Sequence, residues 1–215
     1  MDGLLRNLFE QLNNCCNYLI LRNWDNVFED VIYGEGHEDI DVLCDNLDEF
    51  LKISKAKRIH SNKHRDNYIV ELENRKVRFD IRWVGDGYYP EKWERTMLDR
   101  RLFSNPGVYV MCPEDYCFSL AYHALIQKSN LSEEYKNKIV ISYKGLMGND
   151  LVKSKRDLLK ILDEYLKEKS YKVVLPEDPG VYFNWEISNI LPHHYSNILK
   201  LRRIIFQLRN RLSNR

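Results

Sequence analysis

The 215-residue chain has no apolar run approaching the roughly 20 residues that a bilayer span needs. Runs such as Tyr18-Leu19-Ile20-Leu21 are soon interrupted by charge or amide, so no transmembrane helix is expected. The first residues also lack a basic segment leading into an apolar stretch and a small-residue cleavage site. Secretion is therefore not expected, and the reading is a cytoplasmic protein. Cysteine is scarce: Cys15, Cys16, Cys44, Cys112 and Cys117 are five in number with no CxxC pair. That excludes a disulfide framework and a zinc knuckle and predicts reduced, mostly buried thiols. There is no low-complexity linker and no internal repeat. What remains, 44% hydrophobic and 30% charged residues, suits one globular unit or a compact pair of subdomains.

Net charge is nearly absent as well, at +1, but the balance is uneven along the chain. The first 50 residues hold twelve acids against two basic residues, Arg6 and Arg22, and the rest of the chain carries the compensating positive excess. Such asymmetry marks either an interaction surface or a solvated acidic face, depending on where the acids sit.

Periodicity gives the layout. Leu4, Leu5, Leu8, Phe9, Leu12 and Cys15/Cys16 form the stripe of an amphipathic helix over 3–17. Tyr18–Leu21 and Asp39–Cys44 read as strands, the second preceded by the turn-forming Gly34-Glu35-Gly36. A helix is expected over 46–53 with Asn46 as its cap. Strands are expected near 57–60, 68–73 and 76–84, the last two joined as an antiparallel hairpin at Asn74-Arg75. After Pro90 a helix places Trp93, Met97, Leu98 and Leu102 on one face. A brief strand follows over 108–111, then a helix opened by Pro113-Glu114-Asp115, and further helices over 132–146, 154–168 and 193–212. The expected fold class is α+β: a mixed sheet flanked by helices over residues 1–111, followed by a mainly helical part over 112–215.

Two segments carry the chemical signal. In Asp39-Ile40-Asp41-Val42, strand alternation puts both carboxylates on one face, about 6.6–7 Å apart along the chain, while Ile40 and Val42 point into the core. Like charges held that close call for a compensating cation, and a divalent metal is an economical one. In Val77-Arg78-Phe79-Asp80-Ile81-Arg82-Trp83 the apolar residues make the buried face and Arg78, Asp80 and Arg82 line the other. A carboxylate between two guanidiniums suits a site that holds Mg²⁺ together with a polyphosphate.

Over about residues 15–85 the chain resembles the nucleotidyltransferase fold of the DNA polymerase β superfamily: a glycine-containing turn (Gly34, Gly36), a strand with Asp39-Ile40-Asp41, and a third aspartate, Asp80, on a later strand. Gly85-Asp86-Gly87-Tyr88-Tyr89, Trp93, Pro113-Glu114-Asp115-Tyr116 and Tyr122-His123-Ala124-Leu125 resemble small nucleotidyltransferase-like proteins associated with surface-glycan synthesis. The resemblance implies a two-metal mechanism using Mg²⁺ or Mn²⁺. Asp39 and Asp41 would bridge metal to the triphosphate of an NTP, and Asp80 would help bind the second metal and lower the pKa of an acceptor hydroxyl. In-line attack on the α-phosphate would release pyrophosphate. Gly34, Gly36, Arg22, Arg78 and Arg82 are the expected substrate-binding residues, and the acceptor is expected to be a small molecule, such as a sugar-pathway intermediate.

Two alternatives stay open: a glycosyltransferase holding a nucleotide-diphosphate sugar through Asp-x-Asp, and a catalytically silent nucleotidyltransferase-like binding module. The second would suit Gly34-Glu35-Gly36, where family members usually carry Gly-Ser or Gly-Gly. Nucleic acid is not the expected acceptor. Lys200, Arg202, Arg203, Arg209, Arg211 and Arg215 read as the basic outer face of a docked terminal helix without a stacking platform. Arg22 is also read as an exposed salt-bridging residue. His37 reads as an exposed loop residue. His60 and His64 would pair on a metal only within a helix, and Ser61-Asn62 reads as a turn. His123, one turn from Ser119, is expected in a hydrogen-bonded packing role, and His193-His194 as a helix start.

Overall fold

The computed structural model describes residues 3–25, 27–28, 39–60, 66–73, 75–148, 152, 154–195, 198–201 and 203–205, without the side chains of His60, Asp66 and Arg75. Along the chain these form α1 (Gly3–Cys15), β1 (Tyr18–Ile20), β2 (Ile40–Cys44), α2 (Leu47–Ser54), β3 (Lys57–His60), β4 (Asp66–Leu72) and β5 (Arg75–Trp83). Then come α3 (Glu91–Asp99), β6 (Leu102–Phe103), β7 (Tyr109–Val110), α4 (Pro113–Ile126), α5 (Glu133–Met147), α6 (Lys155–Glu168) and α7 (Trp185–Ser188). The fold is α+β with a mixed sheet, ordered β3-β4-β5-β2-β1-β7-β6. The β2–β5 and β1–β7 pairings are parallel and the others antiparallel. Among the described residues no helix is long and apolar enough to cross a membrane.

The chain divides into two units: Met1–Asn62 with Asp66–Asp86 and Glu91–Tyr116, and Lys63–Arg65 with Gly87–Pro90 and Cys117–Arg215. In the first, α1 buries the stripe that its spacing predicts, Leu5, Leu8, Phe9 and Leu12. These pack with Phe50 of α2 and with Tyr18, Ile20, Val42, Val77, Phe79 and Ile81 of the sheet. Helix α2 starts where its sequence calls for it: the Asn46 side chain accepts the Glu49 backbone N–H, and Asp48 and Glu49 favour the positive end of the helix dipole. Its end is marked by Lys55 in the left-handed region. The expected hairpin is present, with Leu72 opposite Arg75 and Val70 opposite Val77. Helix α3, whose Trp93, Met97 and Leu98 are buried outside that apolar cluster, packs on β2.

The second unit is built from the rest of α4 with α5, α6 and α7. Phe118 stacks on Tyr165 with centroids 3.8 Å apart and rings 6° from parallel. Helix α6 carries a reciprocal capping box between Ser154 and Asp157.

Two expectations are corrected. Leu102 does not extend the α3 face; it begins β6, pairs with Val110 and is exposed. His193 does not open a helix, because its backbone bridges in parallel to Val173. The described helical backbone of that region is confined to 198–201 and 203–205, and the rest of the predicted basic helix lies outside the described residues. The thiols follow expectation: all five cysteines are free, and all but Cys15 are buried. Burial pushes the thiols of Cys16 and Cys117 up to about 11, leaving them protonated and unreactive near neutral pH.

Candidate functional site

The site is built on two neighbouring parallel strands. β2 and β5 pair in register from Ile40 opposite Phe79 to Cys44 opposite Trp83, which sets Asp41 directly against Asp80. Strand alternation then does the sorting. Ile40, Val42, Phe79 and Ile81 enter the apolar cluster beneath α1 and α2, so Asp41, Asp80 and Arg82 share the opposite face. Asp39, one residue before β2 and half-buried, belongs to that face by the same period.

Two carboxylates in opposed register repel unless something positive compensates them. Here each has a guanidinium. Arg22 makes a two-pronged contact with Asp41: its Nη2 donates to Oδ1 at 2.6 Å and its Nε to Oδ2 at 3.2 Å. This pair is largely buried, with the Arg22 side chain 7% and the Asp41 side chain 16% exposed. The β1–β2 pairing carries Arg22 there, since the Leu21 N–H just beyond β1 donates to the Asp41 carbonyl at 2.8 Å. Directly after Arg22 the backbone turns at Asn23, whose φ of 56° lies in the left-handed region that asparagine tolerates better than most residues. Arg22 is thus a buried partner of the site and not the exposed salt-bridging residue that its position suggested.

Asp80 is compensated from its own strand. Two residues apart on the same face, Arg82 Nη2 stands 2.8 Å from Asp80 Oδ1, with 3% and 1% of the two side chains exposed. Arg78, two residues earlier on β5, is exposed. The structure therefore brings together Asp41 with Arg22 and Asp80 with Arg82, in register, with Asp39 beside them in sequence. Gly34, Gly36, Glu35, His37 and Glu38 lie outside the described residues, as does His64. Among the described residues, no three His, Cys, Asp or Glu side chains converge as a group able to hold a metal ion.

The downstream motifs have structural work. Asp115 is fully buried at the start of α4, where it accepts hydrogen bonds from Trp93 Nε1 at 2.9 Å and Cys112 Sγ at 3.1 Å. Arg100 pairs with Glu114 at 2.6 Å. Glu94, also fully buried, accepts the Gly85 N–H at 2.8 Å. Sequence reasoning passed over Glu94 as a site of interest; an acid among the apolar positions of α3 was the available signal. His123 takes the hydrogen-bonded role expected of it, with Tyr88 and Gln127.

No family model matches the chain, and no curated protein matches it. Among solved structures, it is similar to an antigenic nucleotidyltransferase-like protein from Paracoccidioides brasiliensis. The identity is 14%, over 77% of this chain and 85% of that one, at a TM-score of 0.41.

Proposed function

We propose that the chain is a metal-dependent nucleotidyltransferase that moves an NMP group from an NTP to a hydroxyl or phosphate of a small molecule. The observation that carries this reading is the opposed register of Asp41 and Asp80 on one sheet face, with a guanidinium set against each carboxylate.

Mg²⁺ and Mn²⁺ take hard oxygen donors, carboxylates above all. Asp39 and Asp41 fit: both are oxygen donors on one face, and both retain exposure. Asp80 fits less directly, being shut away with Arg82, and its place in the reading is that of a fixed counter-charge behind the pair. A bound divalent ion would supply neutralisation of polyphosphate charge and lower the pKa of an acceptor hydroxyl. The chain's own residues do the rest. Arg22 holds Asp41 in one orientation and places positive charge where a phosphate would meet it. The buried Asp80–Arg82 pair keeps the neighbouring strand's face polar without adding net charge. Exposed Arg78 adds a further cation on β5 for an anionic substrate.

One observation favours a second reading, a catalytically silent nucleotide-binding module: Asp80, the third carboxylate, already has an arginine partner. Thermal-shift measurements with the four NTPs and with UDP- and GDP-sugars, each with and without Mg²⁺ or Mn²⁺, separate the readings from the glycosyltransferase alternative. The expected result is metal-dependent stabilisation by an NTP, about 2.7 kcal/mol at a ligand concentration near 100 Kd. Product formation from that NTP distinguishes the enzyme from the silent module. Preference for nucleotide sugars, or no response to any nucleotide, would overturn the proposal.

A further inference from the structure

The second unit contains a cavity of about 210 Å³ that the nucleotide reading does not use. Tyr88, His123, Gln127 and Val181, all buried, line its floor, while Lys128 and Tyr182 stand exposed at its rim. Among the described residues lining it, none is acidic.

The floor is a built hydrogen-bond network whose proton positions follow from its partners. Gln127 Nε2 donates to the Tyr88 carbonyl, an atom that only accepts, so the amide orientation is fixed. Its Oε1 then faces His123 Nδ1 at 2.8 Å, and that nitrogen must carry a proton to donate. The neutral imidazole is thereby the Nδ1–H tautomer, with Nε2 as its acceptor nitrogen. Tyr88 Oη lies 3.0 Å from the same Nδ1–H, which turns the phenolic proton away from the ring.

The lining is held in place. Tyr88 follows Gly87, whose φ is 73° and where an added Cβ would lie 2.6 Å from the Leu175 carbonyl oxygen, so no other residue fits without displacing backbone. The lining chain around Val181 is irregular and braced by a buried cation. Arg203 donates from Nη1 to the Pro176 carbonyl at 2.6 Å and from Nη2 to the carbonyls of Asp178 at 2.9 Å and Val181 at 2.5 Å. Desolvation pulls the Arg203 guanidinium down to about 10, still charged at neutral pH.

We propose that this cavity binds a small hydroxylated anion, its anionic group met by Lys128 and its hydroxyls by the His123–Gln127–Tyr88 network. Hydroxyl groups both donate and accept, which matches a floor that mixes phenol, imidazole and amide. An anion matches a rim with an ammonium group, and the nearby Asp178 carboxylate is taken up by the Gly180 N–H at 2.8 Å. A cavity of about 210 Å³ has room for a ligand about the size of a phosphorylated triose or polyol. The inference needs neither metal nor nucleotide and stands if the nucleotidyl reading fails.

The test is titration of the full chain with sn-glycerol 3-phosphate, with glycerol and inorganic phosphate as separate arms, followed by calorimetry and by the ¹⁵N resonances of the His123 ring. Glycerol 3-phosphate is expected to bind one per chain, at least about tenfold more tightly than either fragment, and to move the His123 resonances. Lys128→Gln, at an exposed position, should weaken it about tenfold while leaving Tm unchanged, the effect of one charge-assisted hydrogen bond. The proposal is overturned if His123 does not respond, if phosphate alone binds as tightly, or if Lys128→Gln binds like the wild type.

Discussion

At the scale of single residues, the Asp80–Arg82 and Asp41–Arg22 pairs differ in how deeply they are sealed. Taking two charges out of water is costly, and their attraction offsets that cost only while both partners are present. Asp80→Asn removes one charge and leaves the Arg82 guanidinium buried beside a neutral amide. The expected loss is about 3–5 kcal/mol in urea unfolding. The double variant Asp80→Leu/Arg82→Met should lose much less, because it removes both members of the pair together. Equal losses in the single and double variants would show that the pair does not act as a unit. Asp41→Asn differs in kind: the amide oxygen remains an acceptor for Arg22, and the site is already partly open to water. Sequence spacing alone placed Arg82 near Asp80, since i and i+2 share a strand face. It did not reveal that Arg22 closes on Asp41, because that contact spans 19 residues and depends on β1 pairing with β2.

At the scale of elements, the parts that local chemistry specifies were legible. Helix α2 begins at a cap that its own sequence supplies, and Asn46→Ala should cost about 1 kcal/mol, measured as a lower urea midpoint at unchanged m-value. A change in m-value instead would mean that the substitution altered more than a helix end. The hairpin of β4 and β5 follows from alternation on either side of a short connection. Elements that exist only through tertiary pairing were not legible. β6 is two residues long, and its Leu102 and Phe103 are both exposed, so no burial pattern announces it. Its Leu102 lies at a spacing that also continues the α3 stripe, so the sequence period points to helix there. The four-residue α7 and the Val173–His193 bridge are of the same kind, too short to carry a period.

For the molecule as a whole, the uneven charge found in the sequence has a partial structural account. Asp39 and Asp41 of the acidic N-terminal stretch lie on a sheet face that also carries Arg22, Asp80 and Arg82, so acid and base meet locally within one unit. Under the proposed function, that face would meet a small anionic ligand held with a cation and not an extended nucleic-acid track. The α+β class was legible in the helical and strand periods, and the mixed sheet in the resemblance that Asp39, Asp41 and Asp80 carry. The strand order was not, since the parallel pairing of β2 with β5 joins segments separated by α2 and a hairpin. On the proposed function, Asp39 and Asp41 together bind a metal–nucleotide complex. The most direct measurement of this is calorimetric titration of a non-hydrolysable NTP into wild type and Asp41→Asn, with and without Mg²⁺. Mg²⁺-dependent binding to the wild type is expected, weakened at least about tenfold in Asp41→Asn while the circular dichroism of that variant is unchanged. Binding that ignores Mg²⁺, or that is the same in Asp41→Asn, would contradict the proposed function.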